Sequence, residues 1–199
     1  MDNKAQTENL TKAEKLTVML ACLFHDLGKA PTTEVIDGRV KAHGHAEAGV
    51  PIAEALLNRL NVHTVDGFDV RTNVLQLVDK HLMPAQLYNA NAKETVKDSV
   101  FRRLSTKVNL KLLAIVCKAD IMGRGGKVDF DCVTWFNERV AGLDLTDNTI
   151  KPILMGRHLI EMGMKPSKRF GEILDAVFEM QLDGTVTNLD EAKRAVSLL

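Results

Sequence analysis

Leu23-Phe24-His25-Asp26-Leu27-Gly28-Lys29 sets an imidazole and a carboxylate side by side at the end of an apolar run. Upstream, Leu16, Met19, Leu20, Leu23 and Leu27 fall at helical spacing, which predicts a helix over 12–27 with Gly28 where it should stop. Neighbouring side chains on a helix point about 100° apart, so they do not normally face one partner. Near a helix end the geometry loosens, and both can turn to one ion. A His beside an Asp at a helix terminus is commonplace taken alone. The rest of the chain gives the pair its weight.

Downstream, Asp37-Gly38 lies between two short extended runs in residues 33–41, a strong hairpin signal and the only β structure expected. Helices are predicted over 46–60, 69–81, 93–105 and 110–120. The second carries the face Val70, Val74, Leu77, Val78, His81. The last puts Leu110, Leu113, Cys117 and Asp120 on or near one stripe and ends at the turn Gly123-Arg124-Gly125-Gly126. In the last fifty residues, Pro152 suits the first turn of a helix ending at Gly163. Ser167 suits the cap of the next, which carries Phe170, Ile173, Leu174, Val177 and Phe178 and ends near Gly184. Asn188 and Glu191 suit the start of a third. The expected fold class is all-α, a helical bundle with one small β-hairpin at about 33–42 and a helical C-terminal tail. The polar stretch 144–149 is the expected boundary between a core domain over 1–145 and a helical segment over 146–199.

Composition narrows the function classes. Of 199 residues, 45% are hydrophobic and 26% charged, an ordinary globular balance that excludes disorder. Twenty-six basic against 26 acidic side chains argue against a protein that binds nucleic acid by bulk charge. Cys22, Cys117 and Cys132 are odd in number and form no CxxC, which points to a reducing, cytoplasmic setting; Cys22 and Cys117, in apolar runs, are expected as buried thiols. The first fifteen residues are polar, unlike a signal peptide, and the longest apolar run is too short for a bilayer, so no membrane partner is expected.

Three further residues share the character of the His25-Asp26 pair. His45 follows the hairpin at the start of a helix, His81 lies on an apolar helix face, and Asp120 ends an apolar stripe. Burying such groups unpaired costs about 1–3 kcal/mol each. A shared divalent metal satisfies them together, and nitrogen with carboxylate oxygen suits Mn, Fe, Co, Ni or Zn. Lys29 places a cation where an anionic substrate would need one.

The order His25-Asp26, His45, His81, Asp120 resembles the HD superfamily of metal-dependent phosphohydrolases. LFHDLGK, the Asp-Gly hairpin, HGHAEAG, LVDKH and KADIMGR resemble in particular the HD domain of bacterial tRNA nucleotidyltransferases, the CCA-adding and poly(A) polymerase family. LMGRHLIEMGMKPSKRFGEILDAVFEMQLDGTVTN resembles the segment that follows that domain. The resemblance implies a divalent metal (Mn, Ni, Co, Fe or Mg) held by His25, Asp26, His45, His81 and Asp120. It implies Asp120 as the residue orienting a metal-activated water, with Lys29 and Arg124 stabilising charge on the phosphoryl oxygens. The family ligand is the His followed by x-E-x-G, here His45; His43 either lines the phosphate pocket or is a solvent-exposed residue after the hairpin. Glu47 either favours the helix start or holds a histidine ring. His63 and His158 read as ordinary surface or partly buried residues. The implied substrates are 2′,3′-cyclic phosphates, 2′-nucleotides and phosphomonoesters, at a nucleotide or an RNA 3′ end such as tRNA.

Two departures matter. No GS motif with a following DxD occurs, so no CCA addition is expected of this chain alone, and a separate nucleotidyltransferase chain becomes a candidate partner. No His precedes His25, whereas the family's first ligand His lies one helix earlier; the expectation is a chain that starts too late to include it and a metal site one ligand short. Residues 93–118 hold Lys93, Lys97, Arg102, Arg103, Lys107, Lys111 and Lys118 against Glu94 and Asp98. This is either a solvated face or an RNA-tracking surface centred on Arg102, Arg103, Lys107 and Lys111, which Lys165, Lys168 and Arg169 could extend. The alternative function is a tRNA-binding HD module with a degenerate metal site; a dNTP-type hydrolase of the same fold is a third, which the tail argues against.

Overall fold

A computed structural model describes residues 9–89, 96–124, 129–147 and 149–199. The chain is mostly helical. In order it forms α1 (Lys12–Phe24), α2 (Lys29–Thr32), β1 (Thr33–Ile36), β2 (Arg39–Ala42), α3 (His45–Arg59), β3 (Thr64–Val65), β4 (Phe68–Asp69), α4 (Val70–Lys80) and α5 (Met83–Asn89). Then follow α6 (Asp98–Ser105), α7 (Leu110–Gly123), α8 (Asp131–Gly142), α9 (Gly156–Glu161), α10 (Arg169–Asp183) and α11 (Leu189–Val196). The described residues divide into two compact units. One holds residues up to 89 together with 107–147; the other holds 96–106 together with 149–199. One edge falls inside the polar stretch 144–149. No compositional break marks the crossing that assigns α6 to the second unit. Lys93, Glu94, Gly125 and Gly126 lie outside the described residues.

Local chemistry accounts for several element ends of the first unit. Thr11 and Glu14 form a reciprocal capping box at the start of α1. Asp69 accepts from the Thr72 amide to open α4, and Asn109 accepts from the Leu112 amide to open α7. β1 and β2 pair antiparallel about Asp37 (φ 52°) and Gly38 (φ 71°), the left-handed pair a tight hairpin needs. A second hairpin, β3–β4, corrects the expectation of only one. It turns on Asp66 (φ 51°) and Gly67 (φ 80°), the same Asp-Gly chemistry on strands too short to show alternation.

Helix α4 is the spine of this unit and packs against α1, α3 and α7. Its face Val70, Val74, Leu77, Val78 and His81 is buried as the periodicity predicts. Helix α1 is rotated from its predicted face. Ala13, Thr17, Val18, Ala21 and Phe24 point inward, while Met19 and Leu23 are exposed. Small residues let α1 approach α4 closely, and hydrophobic spacing alone cannot say which of two apolar stripes does so. Gly28 is another correction. Its backbone is ordinary helix (φ −69°, ψ −12°), so it is no left-handed stop, and α1 already ends at Phe24. What Gly28 supplies is the absence of a side chain where α2 packs on α3.

The second unit has its own core, in which Leu154, Leu159, Ile173, Val177, Val186, Ala192, Ala195 and Val196 cluster. Helix α6 packs along α10, buries Phe101 and Leu104, and is tied by Arg103 to Glu179 and Asp183. Pro152 lies before α9 rather than in its first turn, because that helix starts only at Gly156. Ser167 makes no cap bond to α10. Gly184 (φ 81°) ends α10, and Asn188 caps α11 by accepting from the Glu191 amide.

Candidate metal centre

Five side chains meet where α1 ends, α3 begins, α4 ends and α7 nears its last turn. His25 is the C-cap of α1, and Asp26 follows it. His45 is the first residue of α3, and His81 caps α4 and is 1% exposed. Asp120 comes from α7. The three imidazoles share one local device. Each places Nδ1 against the backbone carbonyl three residues earlier: His25 on Cys22 (2.8 Å), His45 on Ala42 (2.8 Å) and His81 on Val78 (2.7 Å). A carbonyl only accepts, so Nδ1 carries the hydrogen; this leaves the Nε2 lone pair free on neutral His45 and His81, whereas His25, which faces two carboxylates, takes a second proton at Nε2 to donate to Asp120.

Those lone pairs converge. His45 Nε2 lies 3.3 Å from His81 Nε2 and 3.5 Å from Asp26 Oδ1. Two unprotonated ring nitrogens so close repel each other unless a cation lies between them. The ligand atoms of Asp26, His45 and His81 all fall within 4.8 Å of one another, a grouping suited to a metal ion. His25 and Asp120 stand beside this trio. His25 Nε2 is 3.2 Å from Asp26 Oδ2 and 3.6 Å from Asp120 Oδ1. Asp26 therefore faces His45 with one oxygen and His25 with the other.

Electrostatics distinguish the rings. The bond to Asp120 raises the His25 pKa against the opposing effect of burial. Burial lowers that of His81. Burial works to raise the Asp120 pKa, but bonds from His25 and Arg124 prevail and hold the carboxyl well below its usual range. Asp120 is thus a fixed anion. Burial pushes the Cys117 thiol up to about 12, as expected for a buried thiol; Cys22 is only half-buried and lines the site.

The expected phosphate ligands are placed unequally. Lys29 Nζ donates to Asp26 Oδ2 at 2.6 Å, and Arg124 grips both oxygens of Asp120. Both cations line a cavity of about 460 Å³ with His25, Asp26 and Asp120. His43 is exposed in the turn before α3 and is not among the residues lining that cavity. Glu47 is exposed in the first turn of α3 and makes no bond to a histidine ring. His158 is buried in the second unit, and His63 is exposed.

The residues read as an RNA surface are mostly engaged by the chain itself. Arg103 binds Glu179 and Asp183, Arg102 donates to the Leu182 carbonyl, and Lys111 pairs with Asp147. Lys107 is exposed.

A family model described as "HD domain" matches residues 4–124. The chain belongs to the HD domain family. HD domains have a metal-dependent phosphohydrolase-type fold and bind divalent metals, in keeping with the donor set of Asp26, His45 and His81. Among curated proteins, this chain is 28% identical over 187 residues to an A-adding tRNA nucleotidyltransferase of Deinococcus radiodurans, covering 91% of this chain and 41% of that protein. It is 32% identical over 125 residues to a multifunctional CCA protein of Tolumonas auensis (61% and 28%), and 33% over 118 residues to one of Alkalilimnicola ehrlichii (57% and 26%). The chain thus spans about two fifths or less of the length of these relatives. No solved structure matches it. Among the described residues, no helix is long and apolar enough to cross a membrane.

Proposed function

We propose that this HD domain is a metal-dependent phosphohydrolase acting on 2′,3′-cyclic phosphates, 2′-nucleotides or small phosphomonoesters, in the metabolism of tRNA or other RNA 3′ ends. The observation that carries the reading is the 3.3 Å approach of His45 Nε2 to His81 Nε2, with both Nδ1 atoms committed to carbonyls and Asp26 Oδ1 alongside. Asp26, His45 and His81 would hold the ion, with His25 and Asp120 beside them. A divalent ion of the Mn, Ni, Co, Fe or Mg group supplies Lewis acidity toward a phosphoryl oxygen and lowers the pKa of water.

The chain's own groups do the rest. Lys29 and Arg124 offer donors to the non-bridging oxygens in the cavity they line, exchanging part of their contact with Asp26 and Asp120 for the substrate. Asp120 remains ionised through the neutral range and orients an attacking water by accepting from it.

The test is phosphate release from 2′,3′-cyclic AMP and 2′-AMP with Mn, Ni, Co or Mg. Turnover that Asp120→Ala abolishes while the helical content stays is the expected result. The names of the relatives favour a second reading, a tRNA-binding module that works with a nucleotidyltransferase chain. No turnover with any metal, together with tight tRNA binding, would select it.

A further inference from the structure

The candidate centre is flanked by a second cavity, of about 190 Å³, on the His45 side. This is smaller than the roughly 300–1,000 Å³ of a cleft that holds a whole small molecule, and suits one part of a ligand. Its chemistry differs from that of the cavity lined by Lys29 and Arg124. Glu47, Asp79, Lys80 and Gln86 supply the polar wall, and Leu82 and Met83 the apolar one. Lys80 is already bound to Asp79 (Nζ to Oδ2, 2.7 Å), which leaves the Glu47 carboxylate as the uncompensated charge of the wall.

Such a wall repels a second phosphate. Its carboxylates accept hydrogen bonds from hydroxyl groups, and the Gln86 amide both donates and accepts. Leu82 and Met83 offer a surface to the C–H face of a ring. His45 belongs to both the ion-holding trio and this wall, so the cavity borders the centre.

We propose that this cavity is the sugar subsite of the centre, with Glu47, Asp79 and Gln86 as hydroxyl partners of a ribose whose phosphate faces Lys29 and Arg124. The inference rests on the phosphohydrolase reading for its orientation, and binding tests it separately from turnover. Calorimetry of the full chain, kept metal-free with chelator so that nothing turns over, compares 2′-AMP with inorganic phosphate. The wild-type chain binds 2′-AMP the more tightly, and Gln86→Leu and Glu47→Ala each reduce the ratio of the two affinities by about tenfold, the loss of one hydrogen bond to a polar or charged partner. Both positions are exposed, so neither change threatens the fold. An unchanged ratio in both variants, or a wild-type chain that binds phosphate as tightly as 2′-AMP, overturns the subsite. A reduced ratio in a chain that hydrolyses nothing keeps the subsite and removes the phosphohydrolase reading.

Discussion

A Cβ built on Gly28 would lie 1.9 Å from the backbone oxygen of His45 and 2.6 Å from the amide nitrogen of Gly49. The two glycines of HDLGK and HAEAG are therefore one contact. It presses the turn carrying His25 and Asp26 against the first turn of α3, which carries His45. Gly28→Ala must push these backbones apart, and is expected to cost about 1–3 kcal/mol of stability. Gly49→Ala, whose nearest neighbours are at 3.3–3.4 Å, should cost less. Urea unfolding of the two variants checks the order, and equal stability would refute the contact.

The centre should report metal through stability. A ligand that binds only the folded chain adds about 2.7 kcal/mol at a hundred times its dissociation constant. Mn or Co should raise the melting temperature of the wild-type chain and have little effect on His45→Ala or His81→Ala. A wild-type melting temperature indifferent to every metal, after treatment with chelator, would count against the site.

Protons should divide the histidines. In chelator-treated protein, the ring signals of His25 should titrate above the ordinary 6.5 and those of His81 below it, because Asp120 holds the first ring's proton and burial opposes charging the second. His81, less basic when folded, contributes stability that is present above pH about 6.5 and lost as the pH falls toward its folded value. His25, more basic when folded, contributes stability present below about 6.5 and lost as the pH rises through its folded value. Histidine proton NMR across pH 5 to 8 shows the two directions, and a shared midpoint would contradict the geometry.

Charge reversals should separate RNA contact from internal pairing. Arg103→Glu faces Glu179 and Asp183, so it should lower stability by losing both exposed pairs and setting like charges together. Lys107→Glu lies in an exposed stretch and should leave stability unchanged. If Lys107 meets RNA backbone, tRNA binding weakens in that variant and its salt dependence flattens. Binding that Lys107→Glu leaves unaltered would leave only a solvated face at this position.

The candidate centre was unusually legible because its members are punctuation as well as chemistry. His25, His45 and His81 each stand at a helix end, where an apolar period stops and a polar residue has no ordinary packing role. The hairpin at Asp37-Gly38 was equally plain, and Asp66-Gly67 carried the same signal on strands of two residues. Partners far apart in the chain were not legible. Periodicity could not choose between the two apolar stripes of α1, and a count of basic residues over 93–118 took no account of Glu179, Asp183 and Asp147. Helices α2, α5 and α8 were not anticipated. The first two are short, and α8 begins after a glycine-rich run that reads only as a break.

Helix α6 belongs to a compact unit whose other members are encoded much later in the chain. During synthesis Phe101 and Leu104 leave the ribosome well before α10 exists to cover them. At roughly 5–20 residues per second that interval lasts some seconds. For that time the nascent chain presents the apolar face of an amphipathic helix before α10 is there to pack on it, the moment at which a chaperone would find it.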